Sequence, residues 1–189
     1  MTLRTLATLD RFSKAPRAAS PTSPRALFVP IDDVHGALLS LVESATASVA
    51  VALYALTDAD LLVALLAKHQ AGVALQVTLD RSQADGHIEA PLLRAHPFPT
   101  GVVAIGDSER GAIIHHKVMI VDALDVCTGS TNWSESGEYL EDNDLIVVRD
   151  ASLAATYIAR LTALHQWVLA HPPGTRALPL LSDAEQEDP

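Results

Sequence analysis

A histidine and a lysine two residues apart, His115 and Lys117, are the side chains best placed in this sequence to react together. The apolar run around them predicts a β-strand over residues 113–121, and alternate side chains of a strand share one face. A histidine can act as a nucleophile and transfer protons, while a neighbouring lysine supplies a fixed positive charge. The pair is therefore suited to attack on an anionic centre such as a phosphate.

A second polar group follows in the segment Gly129-Ser130-Thr131-Asn132. The glycine permits close approach of the backbone to a ligand. Ser130 can donate a hydroxyl hydrogen bond to a phosphate oxygen, and Asn132 an amide hydrogen bond. Gly129, Ser130 and Asn132 are therefore predicted to bind the substrate alongside the lysine, and the asparagine is also a candidate catalytic residue.

Strand geometry separates two further candidates from the reacting pair. Asp122 lies five residues after Lys117, an odd offset that turns its carboxylate away from the histidine face. This favours structural support by Asp122 over direct catalysis. His116 lies on the face opposite His115, so we expect it to pack or to face solvent.

The sequence contains no clear metal-binding cluster and indicates no cofactor. The single cysteine, Cys127, cannot form an internal disulfide or a cysteine-based zinc site, and it lies in an apolar run typical of a small buried residue. The remaining histidines are scattered without the spacing of ligands; they are His35, His69, His87, His96, His165 and His171.

Apolar strands alternate with helical segments from residue 26 onwards, which predicts an α/β fold with a mixed sheet sandwiched between helical layers. The predicted strands cover residues 26–29, 48–56, 73–79, 102–105, 113–121, 125–128 and 145–148. The predicted helices cover residues 33–45, 58–70, 88–95 and 151–170.

Composition divides the chain into three parts: a basic arm and Pro/Ser-rich linker (residues 1–25), the catalytic domain (26–170) and an acidic tail (171–189). The arm has apolar residues at every third position, typical of a short amphipathic helix that could dock on the body, touch a partner or lie on an anionic surface. It carries five basic residues and one acid, whereas the remainder holds eight basic and twenty-two acidic residues. Such an acidic body should bind polyanions weakly unless its cations converge on one cleft.

Six positions between His115 and Asn132 carry a resemblance to the phospholipase D superfamily, whose signature reads H-x-K-x4-D-x6-G-S-x-N. Residues 79–83, Leu-Asp-Arg-Ser-Gln, also resemble a stretch of that family. In relatives, an acid aligned with Asp142 orients the catalytic histidine. The resemblance implies this role for Asp142, with Glu141 as the alternative.

The resemblance also implies that two such motifs face one another. One histidine forms a phosphohistidine, the other protonates the leaving oxygen, and lysines and asparagines replace a metal. Because this chain has one motif and no internal repeat, we expect a homodimer with a composite active site.

Three functions follow from the resemblance. A homodimeric, metal-independent endonuclease acting on nucleic acid is favoured, because small single-motif relatives include bacterial nucleases. A phospholipase D or transphosphatidylase acting on phospholipid is the alternative, and a non-catalytic dimeric binding module is the third. No apolar run of about 20 residues is present and the N-terminus has no apolar signal core, which predicts a cytoplasmic protein without a transmembrane segment. The resemblance to small bacterial relatives implies a bacterial origin.

Overall fold

The computed structural model describes residues 5–14 and 20–172. Its centre is a seven-stranded sheet with the strand order β1-β7-β6-β5-β2-β3-β4. Strands β2, β3 and β4 are parallel to one another, and the other neighbouring pairs are antiparallel. The strands are β1 Arg25–Val29, β2 Ser48–Leu53, β3 Ala74–Asp80, β4 Val103–Gly106, β5 Lys117–Val121, β6 Asp125–Gly129 and β7 Asn143–Arg149.

N-cap side chains fix the start of most helices, because the side-chain oxygen of the residue before the helix accepts from a backbone N–H of the first turn. Asp33 accepts from Gly36 at the start of α1, and Asp58 accepts from Leu61 at the start of α2. The α-helices in the described residues are α1 Val34–Ser44, α2 Ala59–Gln70, α3 Arg81–Ala84, α4 Glu89–Ala95, α5 Glu135–Tyr139 and α6 Ala151–Ala170.

The sheet separates two apolar layers. Helices α1 and α2 cover one face, where Leu41 and Leu65 join Met119 of β5 in the main core. Helix α6 covers the other face, where Leu161 packs with Val118. Neighbouring residues of β5 therefore enter opposite layers, as strand alternation requires. The predicted α/β fold, a mixed sheet between helical layers, is confirmed.

The amphipathic segment of the N-terminal arm docks on the body. A 3-10 helix, Leu6–Phe12, buries both Leu6 and Leu9 in the main core. Asp10 pairs with Arg25 at the start of β1, with 2.6 Å between Oδ1 and Nε. The arm thus covers one edge of the helical layer. The predicted acidic tail lies outside the described residues from position 173 onwards.

Two predicted strands are shorter than expected: the strand predicted over residues 48–56 ends at Leu53, and the strand predicted over 113–121 begins at Lys117. Residues 113–116 are irregular, because the N–H of Ile114 donates to the carboxylate of Asp80 and not to a neighbouring strand. The short helices α3 and α5 were not predicted. No helix in the described part of the chain is long and apolar enough to cross a membrane.

Candidate active site

The register of the central strands brings Lys117 to one end of the sheet, beside the chain that leaves β2. Lys117 is the first residue of β5 and lies opposite Leu53, the last residue of β2. The next backbone hydrogen bond joins the N–H of Tyr54 to the carbonyl of His116, at 2.8 Å. Tyr54 is thereby fixed next to the segment that carries both candidate catalytic side chains.

The Tyr54 ring connects His115 to Lys117. Its centroid lies 4.9 Å from that of the His115 ring, in an edge-to-face arrangement, and 4.9 Å from Lys117 Nζ. The ammonium also donates to the carbonyl of His115 at 3.2 Å, and Gln83 Nε2 donates to the Tyr54 hydroxyl at 2.9 Å. The structure therefore brings His115 and Lys117 together, and it does so through a tyrosine ring and not through alternation along a strand.

The two side chains differ in their access to solvent. His115 is exposed, whereas Lys117 keeps only 9% of its surface accessible. Burial lowers the pKa of Lys117, while the carboxylates of Asp80 and Glu141 act in the opposite direction. A cation shielded from water stabilises a nearby negative charge more strongly than an exposed one. An accessible imidazole beside such a cation suits nucleophilic attack on a phosphate.

Asp80, at the end of β3, fixes the segment that precedes His115. Its carboxylate is fully buried, and Oδ2 accepts from the N–H of Ile114 at 2.6 Å. Oδ1 accepts from the N–H of Ser82 at 3.0 Å, so both oxygens are engaged. Sequence reasoning linked Asp80 to the site only through the resemblance of residues 79–83, and it did not single out Tyr54.

Ser130 is held by Asp144 across two adjacent strand ends. Ser130 Oγ donates to Asp144 Oδ1 at 2.8 Å and accepts from the N–H of Asp144 at 3.0 Å. The hydroxyl proton is thus already used within the protein. Ser130 could donate to a phosphate only by leaving this carboxylate, so its predicted role in substrate binding requires a change of partner.

Asn132 is positioned by the residue that follows it. Trp133 forms a bridge with Leu56, and its carbonyl accepts from the N–H groups of Thr57 and Asp58 at 2.8 and 3.1 Å. This fixes Asn132 beside the chain that extends from β2. Its Oδ1 is buried and has no hydrogen-bond partner among the described residues. Because this oxygen can only accept, the amide Nδ2 of Asn132 is the atom that could donate to a phosphate oxygen.

Asp122 lies at the opposite end of β5 from Lys117. Its carboxylate accepts from the N–H groups of Thr46, Ala47 and Ser48 at 2.7–3.0 Å and from the Thr46 hydroxyl at 2.8 Å. Burial alone would raise the pKa of Asp122, but these hydrogen bonds outweigh it and the pKa is lowered. The contacts fasten the turn before β2 and agree with a supporting role.

A family model described as "Cardiolipin synthase, PLD-like domain" matches residues 38–165, which is most of the chain. The chain belongs to the phospholipase D superfamily. The Phospholipase D of Rickettsia bellii is 27% identical to it over 117 residues, covering 62% of this chain and 56% of the relative. The mitochondrial cardiolipin hydrolase of Xenopus laevis is 25% identical over 126 residues, covering 67% and 58%. The chain thus spans little more than half the length of these relatives.

The fold of this phospholipase D-like chain is also found in a solved structure of comparable size. The phospholipase D family member Nuc from Salmonella typhimurium superposes with a TM-score of 0.68 at 23% sequence identity. The similarity covers 76% of this chain and 94% of Nuc. At 23% identity, this similarity shows that the two proteins share a fold.

The acidic pair of this phospholipase D-like chain differs from the expected arrangement. Asp142 is exposed and forms no hydrogen bond or ion pair within the described residues, so the expected contact with His115 is absent. Glu141 instead accepts from Asn143 Nδ2 at 2.8 Å, and its charge acts on Lys117. Glu141 is therefore the acid of this pair that faces the lysine.

His116 lies on the side of the sheet that α6 covers. Arg160, a residue of α6, lies close enough for its charge to act on the imidazole. Burial lowers the pKa of His116, and the positive charges of Arg160 and Lys117 act in the same direction. A half-buried imidazole whose pKa is lowered by burial fits the packing role expected for His116.

One of the histidines that appeared scattered in the sequence belongs to a cluster in three dimensions. His35, Asp58 and Glu138 bring one nitrogen and two carboxylate oxygens within 4.8 Å of one another. Burial raises the pKa of Glu138 to about 9, and the charge of Asp58 acts in the same direction. No other group of this kind occurs in the part of the chain that the structure describes, and the cluster does not include His115 or Lys117.

Proposed function

We propose that this chain is a metal-independent phosphodiesterase that acts as a homodimeric endonuclease on nucleic acid. The observation that carries the proposal is the exposed His115 ring, held by Tyr54 beside the buried ammonium of Lys117. The chain supplies one such pair, whereas two-histidine phosphoryl transfer requires two. A second copy of the chain would complete the site by two-fold symmetry.

In the proposed reaction, His115 of one subunit attacks phosphorus and forms a P–N bond. The P–O bond to the leaving group breaks, and the protonated His115 of the partner subunit gives its proton to the departing oxygen. Water then attacks the phosphohistidine, passes a proton to that second imidazole and releases the first. Lys117 and Asn132 of each subunit stabilise the negative charge on the non-bridging oxygens.

Exposed apolar residues near the motif support the dimer. Ile113, two residues before His115, is 53% exposed, and Leu140, next to Glu141, is 73% exposed. Exposed apolar side chains beside an active site mark a surface suited to contact with another molecule. A second copy placed to bring the histidines together would cover them.

The shape of the site supports a polymeric, water-soluble substrate. The histidine is open to solvent, which suits a chain that approaches laterally. An apolar cavity of about 580 Å³ does exist, lined by residues that include Phe98, Val103 and Leu169, but neither His115 nor Lys117 lines it. The cavity that could take an acyl chain is thus separate from the reacting pair.

Phospholipid hydrolysis or transphosphatidylation is the second candidate. The description of the matching family model and the cardiolipin hydrolases among the relatives favour it. Both substrates present a phosphodiester to the same nucleophile, so the chemistry at His115 would be shared.

Parallel assays on four substrates test the proposal: labelled single-stranded DNA, RNA, vesicles of phosphatidylcholine and cardiolipin, and a small chromogenic phosphodiester. We expect cleavage of nucleic acid and of the chromogenic ester, and no release of lipid headgroup, with His115→Ala as the matched inactive control. Headgroup release without cleavage of nucleic acid would establish the second candidate. Failure on all four substrates would indicate a binding module.

Chelation tests the absence of a catalytic metal. Activity measured below the unfolding temperature of the chelated protein should survive excess EDTA. Loss of turnover that magnesium or zinc restores in a protein that stays folded would contradict the proposed chemistry.

Mixed dimers test the composite site. Wild-type and His115→Ala chains are refolded together, and heterodimers should be inactive because one of the two roles is unfilled. At equal amounts of the two chains, about one quarter of the activity should remain, since only wild-type homodimers work. If one half of the activity remained, each subunit would be acting alone.

A further inference from the structure

Three polar side chains from three different helices meet in a cleft away from His115. His35 Nδ1, on α1, lies 2.7 Å from Glu138 Oε2 on α5 and 3.0 Å from Asp58 Oδ2 at the start of α2. Two carboxyl groups thus converge on one imidazole nitrogen, and Glu138 would give up its proton on binding a cation. The cleft lined by His35 and Asp58 has a volume of about 320 Å³, enough to admit an ion with water, and Glu138 lies buried behind it.

One carboxyl oxygen of Glu138 has no hydrogen-bond partner among the described residues. The residue is 1% exposed, and its Oε1 is buried without a hydrogen-bond partner in the described part of the chain. A buried polar atom without a partner destabilises the protein unless something satisfies it. The other oxygen of the same carboxyl group already faces His35, so a bound cation could satisfy both.

The two carboxylate oxygens of Asp58 have different partners. Oδ1 accepts from the N–H of Leu61 at 2.8 Å and caps α2. Oδ2 points to His35 and remains available as a ligand. Helix capping therefore holds this carboxylate in one orientation, which lowers the entropic cost of binding an ion.

Asp60 lies near the second ring nitrogen of His35, the one that does not face Asp58 and Glu138. Its Oδ2 lies 3.9 Å from His35 Nε2, and the side chain is 79% exposed and free to approach. Metal-bound histidines commonly donate their other ring N–H to a carboxylate, which fixes the ring and its tautomer. With Nδ1 on a cation, Nε2–H would donate to Asp60.

We propose that His35, Asp58 and Glu138 bind a divalent transition-metal cation, with zinc as the preferred ion. One imidazole and two carboxylates match the ligands that zinc takes, whereas calcium and magnesium prefer oxygen ligands alone. Zinc bonds of about 2.0–2.1 Å in tetrahedral geometry separate ligand atoms by roughly 3.4 Å. The observed separations of 2.7 and 3.0 Å would have to widen by about 0.7 and 0.4 Å to reach this geometry.

The position of this site indicates a structural role. The backbone N–H of Asp58 donates to the carbonyl of Trp133, directly after Asn132. A cation joining α1, α2 and α5 would stiffen the support of the motif loop without contacting the substrate. The inference does not rest on the proposed nuclease activity, and the two can fail separately.

Thermal unfolding of the metal-free full chain, with zinc chloride added, tests the site. At about 100 times the dissociation constant, zinc should raise the midpoint by roughly 5–10 °C, whereas magnesium and calcium should not. His35→Gln and Glu138→Gln should abolish the shift. Glu89→Gln is the matched control, because Glu89 is another buried glutamate with an unpartnered Oε1, and its shift should equal that of the wild type.

Zinc-edge X-ray absorption on the wild-type protein keeps the proposal testable if a variant fails to fold. We expect nitrogen and oxygen coordination that includes one imidazole. A zinc shift that persists in both variants, coordination without imidazole, an equal response to magnesium, or no response to zinc would each overturn the proposal.

Discussion

Gly129 approaches the backbone of Asp144 so closely that a Cβ on the glycine would lie 2.2 Å from the Asp144 carbonyl oxygen. The glycine also has φ of +154°, a backbone conformation that L side chains rarely adopt. The signature glycine therefore lets β6 and β7 stay together at the point where Ser130 joins Asp144.

Gly129→Ala should lower both stability and turnover, because β7 must move away and the loop carrying Asn132 moves with it. Gly72→Ala is the matched control: Gly72 also has a positive φ, +89°, but nothing lies within 4 Å of its added Cβ. Backbone strain alone should lower the free energy of unfolding of Gly72→Ala by about 1–3 kcal/mol, and turnover per folded molecule should be unchanged. Urea unfolding and specific activity measure the two effects. Equal losses in both variants would show that the close contact with Asp144 is unimportant.

His115→Ala should abolish turnover, since the proposed dimer would then have neither nucleophile nor general acid. The loss should exceed the roughly 10²–10⁴-fold effect of proton transfer alone. His116→Ala removes a neighbouring imidazole from the opposite face and should retain near wild-type turnover. Specific activity, circular dichroism and sedimentation are compared for both variants. If His116→Ala is equally inactive while folded and dimeric, the assignment of the two faces is wrong.

Lys117 should give the proposed phosphodiesterase activity an alkaline limit. Because burial lowers its pKa below the usual 10.5, turnover should fall with rising pH before that value as the ammonium loses its proton. The charge of Asp80 raises the pKa of Lys117, so Asp80→Asn should move the limit to lower pH. A pH–rate profile on the chromogenic ester measures this shift. An unchanged limit in Asp80→Asn would mean that Asp80 acts only through the hydrogen bond to Ile114.

Asp122→Asn should reduce stability and leave turnover per folded molecule intact. Asparagine tolerates the positive φ of this position, 52°, so the change mainly removes the charge from the hydrogen bonds to residues 46–48. The expected loss is about 1–3 kcal/mol near neutral pH. The folded-state pKa of Asp122 is lowered, so its contribution is complete above the unfolded value of 3.8 and is lost as the pH falls through the folded pKa. Denaturation at several pH values should show the two proteins converging in acid, and a folded but inactive variant would place Asp122 in the chemical step.

Binding of single-stranded nucleic acid should depend weakly on salt. Several arginines are already paired with acidic side chains, which leaves their charge less available to a phosphate. The proposed contacts to phosphate are therefore two lysines, Lys117 of each subunit. Two charge contacts on a single strand give a slope of about −1.4 in log K against log[salt]. Fluorescence anisotropy across salt concentrations measures the slope. A slope several times steeper would reveal a basic surface beyond the motif.

Much of the fold could be predicted because local signals agree with tertiary packing. The bounds predicted for α6 match Ala151–Ala170, since Asp150 caps the helix and Pro172 follows it. The strand predicted over residues 113–121 was too long for a reason that local sequence cannot contain. Ile114 has strand propensity, but its N–H is taken by Asp80, 34 residues earlier in the chain.

The candidate site shows the same division. The spacing of His115, Lys117 and Asn132 is visible in the sequence, whereas the part played by Tyr54 depends on pairing between β2 and β5. His35 and Glu138 are 103 residues apart, so no ligand spacing could connect them. A sequence pattern can identify functional residues that lie on the same helix or strand. Contacts between different helices and strands can be predicted only once the register of the sheet is known.

The place of β5 in the sheet determines how long the reacting geometry persists. As the fourth of seven strands, β5 has three strands on either side. Local fraying begins at the edges, so the amides of residues 118–121 should exchange with deuterium only when the whole domain opens. Lys117 would then be anchored to a strand that opens only when the whole domain unfolds, so a substrate would have to adapt to a rigid site.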